Sequence, residues 1–111
     1  MKIYRVRTFS ESEQRIEGLI NLPGWRNSNT GFWTSNLNSA INIWKDRNEA
    51  CFLYSGGGTW ARIIETDISN VVTADDPSKY KSSHDTRYDD GEIFVVAIKD
   101  EKKIKKWKKI L

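Results

Sequence analysis

The chain has 111 residues, 38% hydrophobic and 30% charged, and its 18 lysines and arginines against 15 aspartates and glutamates give a formal net charge of +3. This composition is typical of a folded protein with one core and excludes a disordered chain, so we expect a single domain over residues 1–111. Because Cys51 and His84 are the only residues of their types, an internal disulfide and a cysteine–histidine zinc site are excluded, and no structural metal is expected.

The chain begins with a predicted strand. Residues 2–6, KIYRV, alternate Ile3 and Arg5 with Tyr4 and Val6, which is the spacing of a strand with two different faces. The sequence then turns polar too early for a signal peptide, and it nowhere contains the apolar run of ~18 residues that a membrane-spanning helix needs. We therefore expect a cytoplasmic protein.

A short helix is predicted next. Ser10 and Glu13 have the spacing of a capping box, in which each side chain bonds a free backbone N–H of the first turn. The apolar residues that would form the buried face of this helix are Ile16, Leu19 and Ile20. Pro23 ends the helix, and residues 24–31, GWRNSNTG, predict a surface loop.

Residues 31–44, GFWTSNLNSAINIW, predict a short strand that runs into a second helix. Ser35 or Asn36 can cap this helix, because either side chain can accept a hydrogen bond from the first turn. The residues that recur at helical spacing, and that we expect to be buried, are Leu37, Ala40, Ile41 and Trp44.

A β-hairpin is predicted between residues 50 and 68. ACFLY (50–54) and TWARIIETDI (59–68) are rich in strand formers, and SGGG between them can take the positive φ angles of a turn. A glycine run can also cradle a phosphate, but no lysine-serine or lysine-threonine pair follows it, so the turn is favoured. A long polar loop over residues 73–91, of a kind that often covers a binding site, then leads into the strand EIFVVAIK (92–99).

The end of the chain is basic. The last ten residues contain six lysines: Lys102, Lys103, Lys105, Lys106, Lys108 and Lys109. Subtracting their six charges from the net charge of +3 leaves −3 on the other 101 residues. An acidic body with a basic end is not the broad basic surface of a dedicated nucleic-acid binder. Ile104, Trp107 and Leu111 fall at helical spacing, which favours a closing element that packs on the core with its lysines in water. Binding of a nucleic acid or an acidic partner is the open alternative.

The order of elements favours a small α+β domain over a doubly wound parallel sheet, because helices and strands do not alternate regularly. Within that order, Glu92 lies at the entrance of an otherwise apolar strand. A carboxylate there loses much of its hydration, and this cost is tolerable when the group faces a cleft or has partners, which makes Glu92 a candidate for chemistry. The alternative is a solvent-exposed loop end beside Asp89 and Asp90.

Three motifs, in this order along the chain, resemble the arginine-serine-glutamate type of ADP-ribosyltransferase. They are Arg5 after an aromatic residue in the first strand, GFWTSN (31–36) leading a strand into a helix, and Glu92 with Asp90 two positions earlier. The resemblance implies a compact α+β fold with a split β-sheet core and two short helices. It also implies NAD as co-substrate, cleavage of the nicotinamide–ribose bond, and transfer of ADP-ribose to a macromolecular acceptor, with a protein as the first expectation.

The same resemblance implies roles for individual side chains. Glu92 would stabilise the positive charge that develops on the ribose, as carboxylates do in glycoside cleavage, and Asp90 would orient or deprotonate the acceptor. The arginine would hold the dinucleotide with its planar fork of donors, an aromatic ring would stack on nicotinamide, and hydroxyls would anchor the ribose. The cofactor-binding positions implied in this way are Arg5, Phe32, Trp33, Thr34 and Ser35.

The chain also departs from the family pattern, since Trp33 stands where the family has the first serine of its middle motif. It has little room for the additions that select acceptors in larger members. The alternative is therefore a non-catalytic binding or inhibitor module, which uses the cleft or the lysine-rich end from Lys102 to Lys109 to bind a protein or nucleic acid. The structural alternatives are core packing for Phe32 and Trp33, helix capping for Thr34 and Ser35, and surface pairing for Arg5.

Overall fold

A computed structural model describes residues 1–10, 29–55, 59–76, 79 and 87–107 of the chain. Within them, one α-helix, α1 (Leu37–Ser55), accompanies six strands: β1 (Lys2–Ser10), β2 (Gly31–Thr34), β3 (Thr59–Asp67), β4 (Val71–Thr73), β5 (Glu92–Ile98) and β6 (Lys105–Lys106). The strands form one curled antiparallel sheet in the order β4-β5-β2-β1-β3-β6. The predicted α+β class is confirmed at this level.

The first strand is longer than the sequence predicted. β1 pairs with β3 from Lys2 opposite Asp67 to Ser10 opposite Thr59, so the strand continues beyond the predicted residues 2–6 to Ser10. The helix predicted around Ile16 lies outside the described residues. On its other side, β1 meets β2 at Tyr4 opposite Thr34, and this is the pairing between these two strands in the described part of the chain.

The second predicted helix is confirmed, together with its cap. The Oδ1 atom of Asn36 accepts hydrogen bonds from the backbone N–H groups of Asn38 at 3.0 Å and Ser39 at 3.2 Å. Asn36 is therefore the N-cap, which satisfies two of the N–H groups that have no partner within the first turn.

The predicted β-hairpin is wrong in its first half, because residues 50–54 continue α1. Cys51 is buried at 8% exposure, seven residues after Trp44, whereas Phe52 and Leu53 are exposed at 70% and 67%. Two consecutive exposed residues next to a buried one fit a helix face and contradict the alternation of a strand. ACFLY has a high strand propensity, but it follows directly on a helix and continues that helix, because structural context overrides intrinsic strand propensity.

Two hydrophobic clusters lie on opposite faces of the sheet. The cluster on the helix side is formed by Val6, Phe32, Ala40, Ala61, Ile63 and Tyr88. The other is formed by Ile3, Trp33, Ile64, Val71 and Val95. The alternation of side chains along β1 and β2 divides consecutive residues between the clusters, so both faces of these central strands are buried.

The basic end closes the sheet as an extended segment. A 3₁₀ turn at Glu101–Lys103 precedes β6, so the predicted helix is wrong for the described residues up to Trp107. Ile104 packs against the second cluster and Trp107 against the first, because residues three apart in extended chain point to opposite faces. The prediction of a closing element is confirmed here, since the apolar side chains pack on the core while the lysines in this segment are exposed.

No helix among the described residues combines the length and the apolar character needed to cross a lipid bilayer.

Candidate functional site

A row of directly opposed residues runs across five strands of the sheet. In strand order it contains Glu92, Thr34, Tyr4, Glu65 and Lys105. Directly opposed residues of antiparallel strands point to the same face. Tyr4 packs against the cluster on the helix side, so the row lies on that face and has a glutamate near each end.

Glu92 is held by the segment immediately before it. Arg87 donates from Nε to both carboxylate oxygens at 3.0 Å and from its NH2 group to Oε1 at 2.6 Å. The backbone N–H of Tyr88 donates to Oε2 at 2.9 Å. The Glu92 side chain is 16% exposed, so these donors replace much of the water that the carboxylate has lost.

The net electrostatic effect keeps Glu92 ionised. Partial burial raises the pKa of its carboxyl group. The hydrogen bonds from Arg87 and from the Tyr88 N–H, together with the charge of Arg87, outweigh that effect, so the pKa lies below the ordinary 4.5. The site therefore presents a fixed carboxylate anion at neutral pH.

The guanidinium of Arg87 also lies over an aromatic ring. Its Cζ atom is 4.3 Å from the centroid of Phe32, and Phe32 in turn makes an edge-to-face contact with Phe94 at 4.9 Å. Phe32 and Trp33 are both fully buried. Stacking of a ligand on Phe32 would therefore require the guanidinium to move, and Trp33 presents no accessible ring face in this structure.

The hydroxyls of the middle motif fasten β2 to the loop before β5. Thr34 donates from Oγ1 to the backbone carbonyl of Asp90 at 2.5 Å, and the backbone N–H of Ser35 donates to the carbonyl of Gly91 at 3.0 Å. Gly91 has φ +65°, and a Cβ there would lie 2.5 Å from the Ser35 Oγ atom, so this close approach requires glycine. The carboxylate of Asp90 accepts from the Asn36 amide at 3.1 Å.

The side chain of Arg5 projects from β1 on the face of the sheet opposite to Glu92. It alternates with Tyr4 and lies opposite Ile64 of the second cluster, whereas Glu92 lies opposite Thr34 on the helix side. Its NH1 group donates to the carbonyl of Phe32 at 2.7 Å, and a Cβ on Gly31 would lie 2.7 Å from the same nitrogen. Thus Arg5 and Glu92 lie on neighbouring parts of the sheet, but the strand alternation directs them to opposite faces.

Tyr88 connects these parts of the site. The backbone N–H of Val6 donates to its hydroxyl at 2.7 Å, next to the point where β1 and β2 stop pairing. Burial raises the pKa of this hydroxyl above 10.0, although the Val6 hydrogen bond and the charges of Arg5 and Arg47 oppose the rise. Tyr88 thus lies within electrostatic reach of arginines from both β1 and α1.

The structure brings Glu92, Asp90, Thr34 and Ser35 together at the β2–β5 corner. Sequence reasoning missed Arg87 and Tyr88, which it left inside a long polar loop. The available signal was the arginine–tyrosine pair just before DDGE. A lone tyrosine in a polar loop is often buried and anchors the loop to the core, although the composition of the loop predicts exposure to solvent. The roles assigned to the predicted site residues remain predictions.

The other end of the row contains a second buried carboxylate. Glu65 has a side chain that is 9% exposed; it accepts from Trp107 Nε1 at 2.5 Å and lies 3.5 Å from Lys2 Nζ and 3.9 Å from Lys105 Nζ. Trp107 makes an edge contact with Tyr4 at 6.3 Å between ring centroids. These contacts tie the closing segment to β3.

Comparisons with protein-family models, with curated protein sequences and with solved structures found no match. No group of three or more histidine, cysteine, aspartate or glutamate side chains in the described ranges is arranged to hold a metal ion.

Proposed function

We propose that the chain is a small NAD-dependent ADP-ribosyltransferase that cleaves the nicotinamide–ribose bond and transfers ADP-ribose to a macromolecular acceptor, with a protein as the first candidate. The observation that carries the proposal is the sheet order. β1, β2 and β5, which contain the three motifs, are neighbours in the sheet, and a hydrogen bond between Val6 and Tyr88, 82 positions apart, joins β1 to the segment before β5.

The chemistry of Glu92 suits this reaction. Cleavage of the nicotinamide–ribose bond spreads positive charge over the sugar, and a fixed anion beside that charge stabilises the transition state. Glu92 is partly buried, ionised and held on a strand end, where its position is set by pairing with Thr34. A rigid strand end provides the pre-organisation that such stabilisation requires.

The neighbouring groups have defined tasks in this proposal. Thr34 and Ser35 fix the loop at Asp90 and Gly91, and so hold the position of Glu92 indirectly. The carboxylate of Asp90 is exposed and hydrogen-bonded to Asn36, which leaves it at the mouth of the site where an acceptor would arrive. Arg5 would contribute through the backbone of Phe32, because its guanidinium bonds that carbonyl.

The decisive experiment measures nicotinamide release from NAD by purified wild type, Glu92→Gln and Glu65→Gln. Glu92→Gln keeps the side-chain shape but removes the anion, and we expect at least a hundredfold loss, typical of removing one group that stabilises transition-state charge. Glu65→Gln is the matched control, since it removes a buried carboxylate from the other end of the same row. Equal release by wild type and Glu92→Gln would refute the proposal.

A second candidate function rests on a different observation. Lys102, Lys103, Lys105 and Lys106 are all exposed along the β6 edge of the sheet. This basic edge is suited to an acidic protein or nucleic-acid partner in a non-catalytic binding module. Replacing these four lysines with glutamine would then abolish binding, while Glu92→Gln would leave it intact; a complex insensitive to salt would argue against this candidate.

A further inference from the structure

The contacts of Arg87 are those of a flat cation bound to a site. Two groups on different strands contact it: the carboxylate of Glu92 at the start of β5 and the ring of Phe32 in β2. The carboxylate receives three of its four hydrogen bonds from the guanidinium. The centroid of the Phe32 ring lies 4.3 Å from the Cζ atom of Arg87. A carboxylate beside an aromatic face recognises a planar cation by charge and by stacking.

We infer that Phe32 and Glu92 form a binding site for planar monocations, and that Arg87 is the internal occupant which such a ligand displaces. Both site residues belong to strands that pair with each other, Phe32 opposite Phe94 and Thr34 opposite Glu92. The walls of the site therefore remain in place when the arginine side chain moves.

In the displacement that we infer, the side chain of Arg87 moves and its backbone is anchored by the next residue. The next residue, Tyr88, is buried, its hydroxyl is bonded to Val6, and its backbone N–H is bonded to Glu92. This anchor keeps the backbone in position. The Arg87 side chain is 43% exposed, and an ion pair open to solvent to that extent is held weakly enough for an external cation to compete with it.

The charged groups around the site define the class of ligand. Glu92 excludes anions, while the face of Phe32 favours a delocalised planar cation over a compact ammonium. Arg5 and Arg47 lie near Tyr88, and these cations disfavour ligands with more than one positive charge. Guanidinium, amidinium and pyridinium groups fit these limits. The nicotinamide ring of NAD is such a cation, but the inference stands on the contacts and does not depend on the proposed reaction.

The test replaces the internal occupant with an external one. Ethylguanidinium, at millimolar concentration, is titrated by calorimetry into wild type and Arg87→Ala. We expect binding to Arg87→Ala at least tenfold tighter than to wild type, and a melting temperature of the variant that rises with ligand concentration. Ethylammonium and ethylurea are the comparison ligands: the first is charged but not planar and the second is planar but neutral, so both should bind at least tenfold more weakly.

Two further variants distinguish binding at Phe32 and Glu92 from the effect of removing any arginine. Adding Glu92→Gln to Arg87→Ala should abolish the gain. Arg62→Ala should show none, since the Arg62 guanidinium lies 6.0 Å from the Trp60 ring and donates to a backbone carbonyl. Arg87→Gln, which retains an amide donor for Glu92, serves in place of Arg87→Ala if the alanine variant does not fold, and the same gain is expected.

The outcomes are distinct from those of the activity assay. Equal affinity of wild type and the Arg87 variant for ethylguanidinium, or equal affinity of the variant for ethylguanidinium and ethylammonium, would overturn the inference. Binding that follows the expected pattern, with no nicotinamide release from NAD by wild type, supports the cation site and removes only the proposed reaction.

Discussion

Glu92 and Glu65 lie near opposite ends of one row across the sheet, yet their surroundings differ in kind. Glu65 is the more buried of the two, with 9% side-chain exposure against 16%, and its partners are a tryptophan from the closing segment and two exposed lysines. Glu92 is held by an arginine and a backbone N–H from a single short segment before β5. The first glutamate joins separate parts of the chain, whereas the second is paired with a neighbour in sequence whose side chain is 43% exposed.

The origin of their partners distinguishes these two carboxylates better than their burial does. A carboxylate whose partners come from distant segments stabilises the fold, because losing it leaves a buried donor such as the Trp107 N–H unsatisfied. A carboxylate whose main partner is an exposed side chain can exchange that partner for a ligand. These partners favour a structural role for Glu65 and leave Glu92 as the carboxylate of the proposed chemistry.

The largest expected effect concerns catalysis at one end only. Glu92→Gln should lower nicotinamide release at least a hundredfold, equivalent to about 2.7 kcal/mol of transition-state stabilisation, while Glu65→Gln should stay near wild type. Steady-state assays with NAD, on proteins matched for folding by circular dichroism, measure this contrast. If Glu65→Gln loses as much activity as Glu92→Gln, the proposed catalytic role is not specific to Glu92.

The next largest effect concerns stability at the other end. Trp107→Ala removes the contact with Tyr4 and the donor to Glu65, and we expect a loss of about 2 kcal/mol in the free energy of unfolding, below the range for fully buried tryptophans because this one is half-buried. Trp107→Phe keeps a ring but not the N–H and should cost about 1 kcal/mol. Urea denaturation measures both, and a loss by the alanine variant no greater than that by the phenylalanine variant would contradict a packing role.

A smaller effect depends on pH and belongs to the Glu92 end. Because the folded-state pKa of Glu92 lies below its ordinary 4.5, the stabilisation from Arg87 is complete above that value and disappears as the pH falls through the folded-state pKa. Arg87→Gln should therefore be less stable than wild type at pH 7, by about 1 kcal/mol for a partly exposed pair, and the gap should close at low pH. Urea titrations at pH 7 and pH 3 test this; a gap that widens on acidification would reverse the sign.

The smallest effect is expected at the lysines beside Glu65. Lys2 and Lys105 have side chains that are 69% and 74% exposed, so replacing either with glutamine should change stability by no more than about 0.5 kcal/mol. The same substitutions should leave nicotinamide release unchanged. A loss above 1 kcal/mol, the upper end for exposed pairs, would show that Glu65 depends on these charges and not on Trp107.

Much of the fold was predictable because its signals are local. The alternation of KIYRV, the cap at Asn36 and the apolar strand after Glu92 are patterns of adjacent residues, and the structure contains the corresponding elements. ACFLY misled because strand propensity is weak beside the cooperativity of a helix already formed through Trp44. The lysine-rich end misled because a spacing of three between Ile104 and Trp107 satisfies a helix face and also two faces of an extended segment.

The candidate site was predictable only in part. Glu92 stands out within an apolar strand and Asp90 precedes it, so sequence could single them out. Arg87 could not be paired with Glu92 from spacing, since that pairing depends on the loop turning back at Gly91 and on Tyr88 being buried. The opposite directions of Arg5 and Glu92 follow from the registers of β1, β2 and β5, which no single strand specifies.

Local sequence patterns were sufficient to predict the starts of β1, β2, β3, β5 and the helix, the mixed α+β class and the acid at the start of β5, because propensity, capping and periodicity act between near neighbours. Which partners each glutamate has is visible only in the folded chain: Trp107 and two lysines contact Glu65, and Arg87 and the Tyr88 N–H contact Glu92. The partners of Glu65 come from segments far apart in the chain, and strand order and register bring them within reach of its carboxylate. Those of Glu92 lie four and five residues before it, where the loop turns back at Gly91.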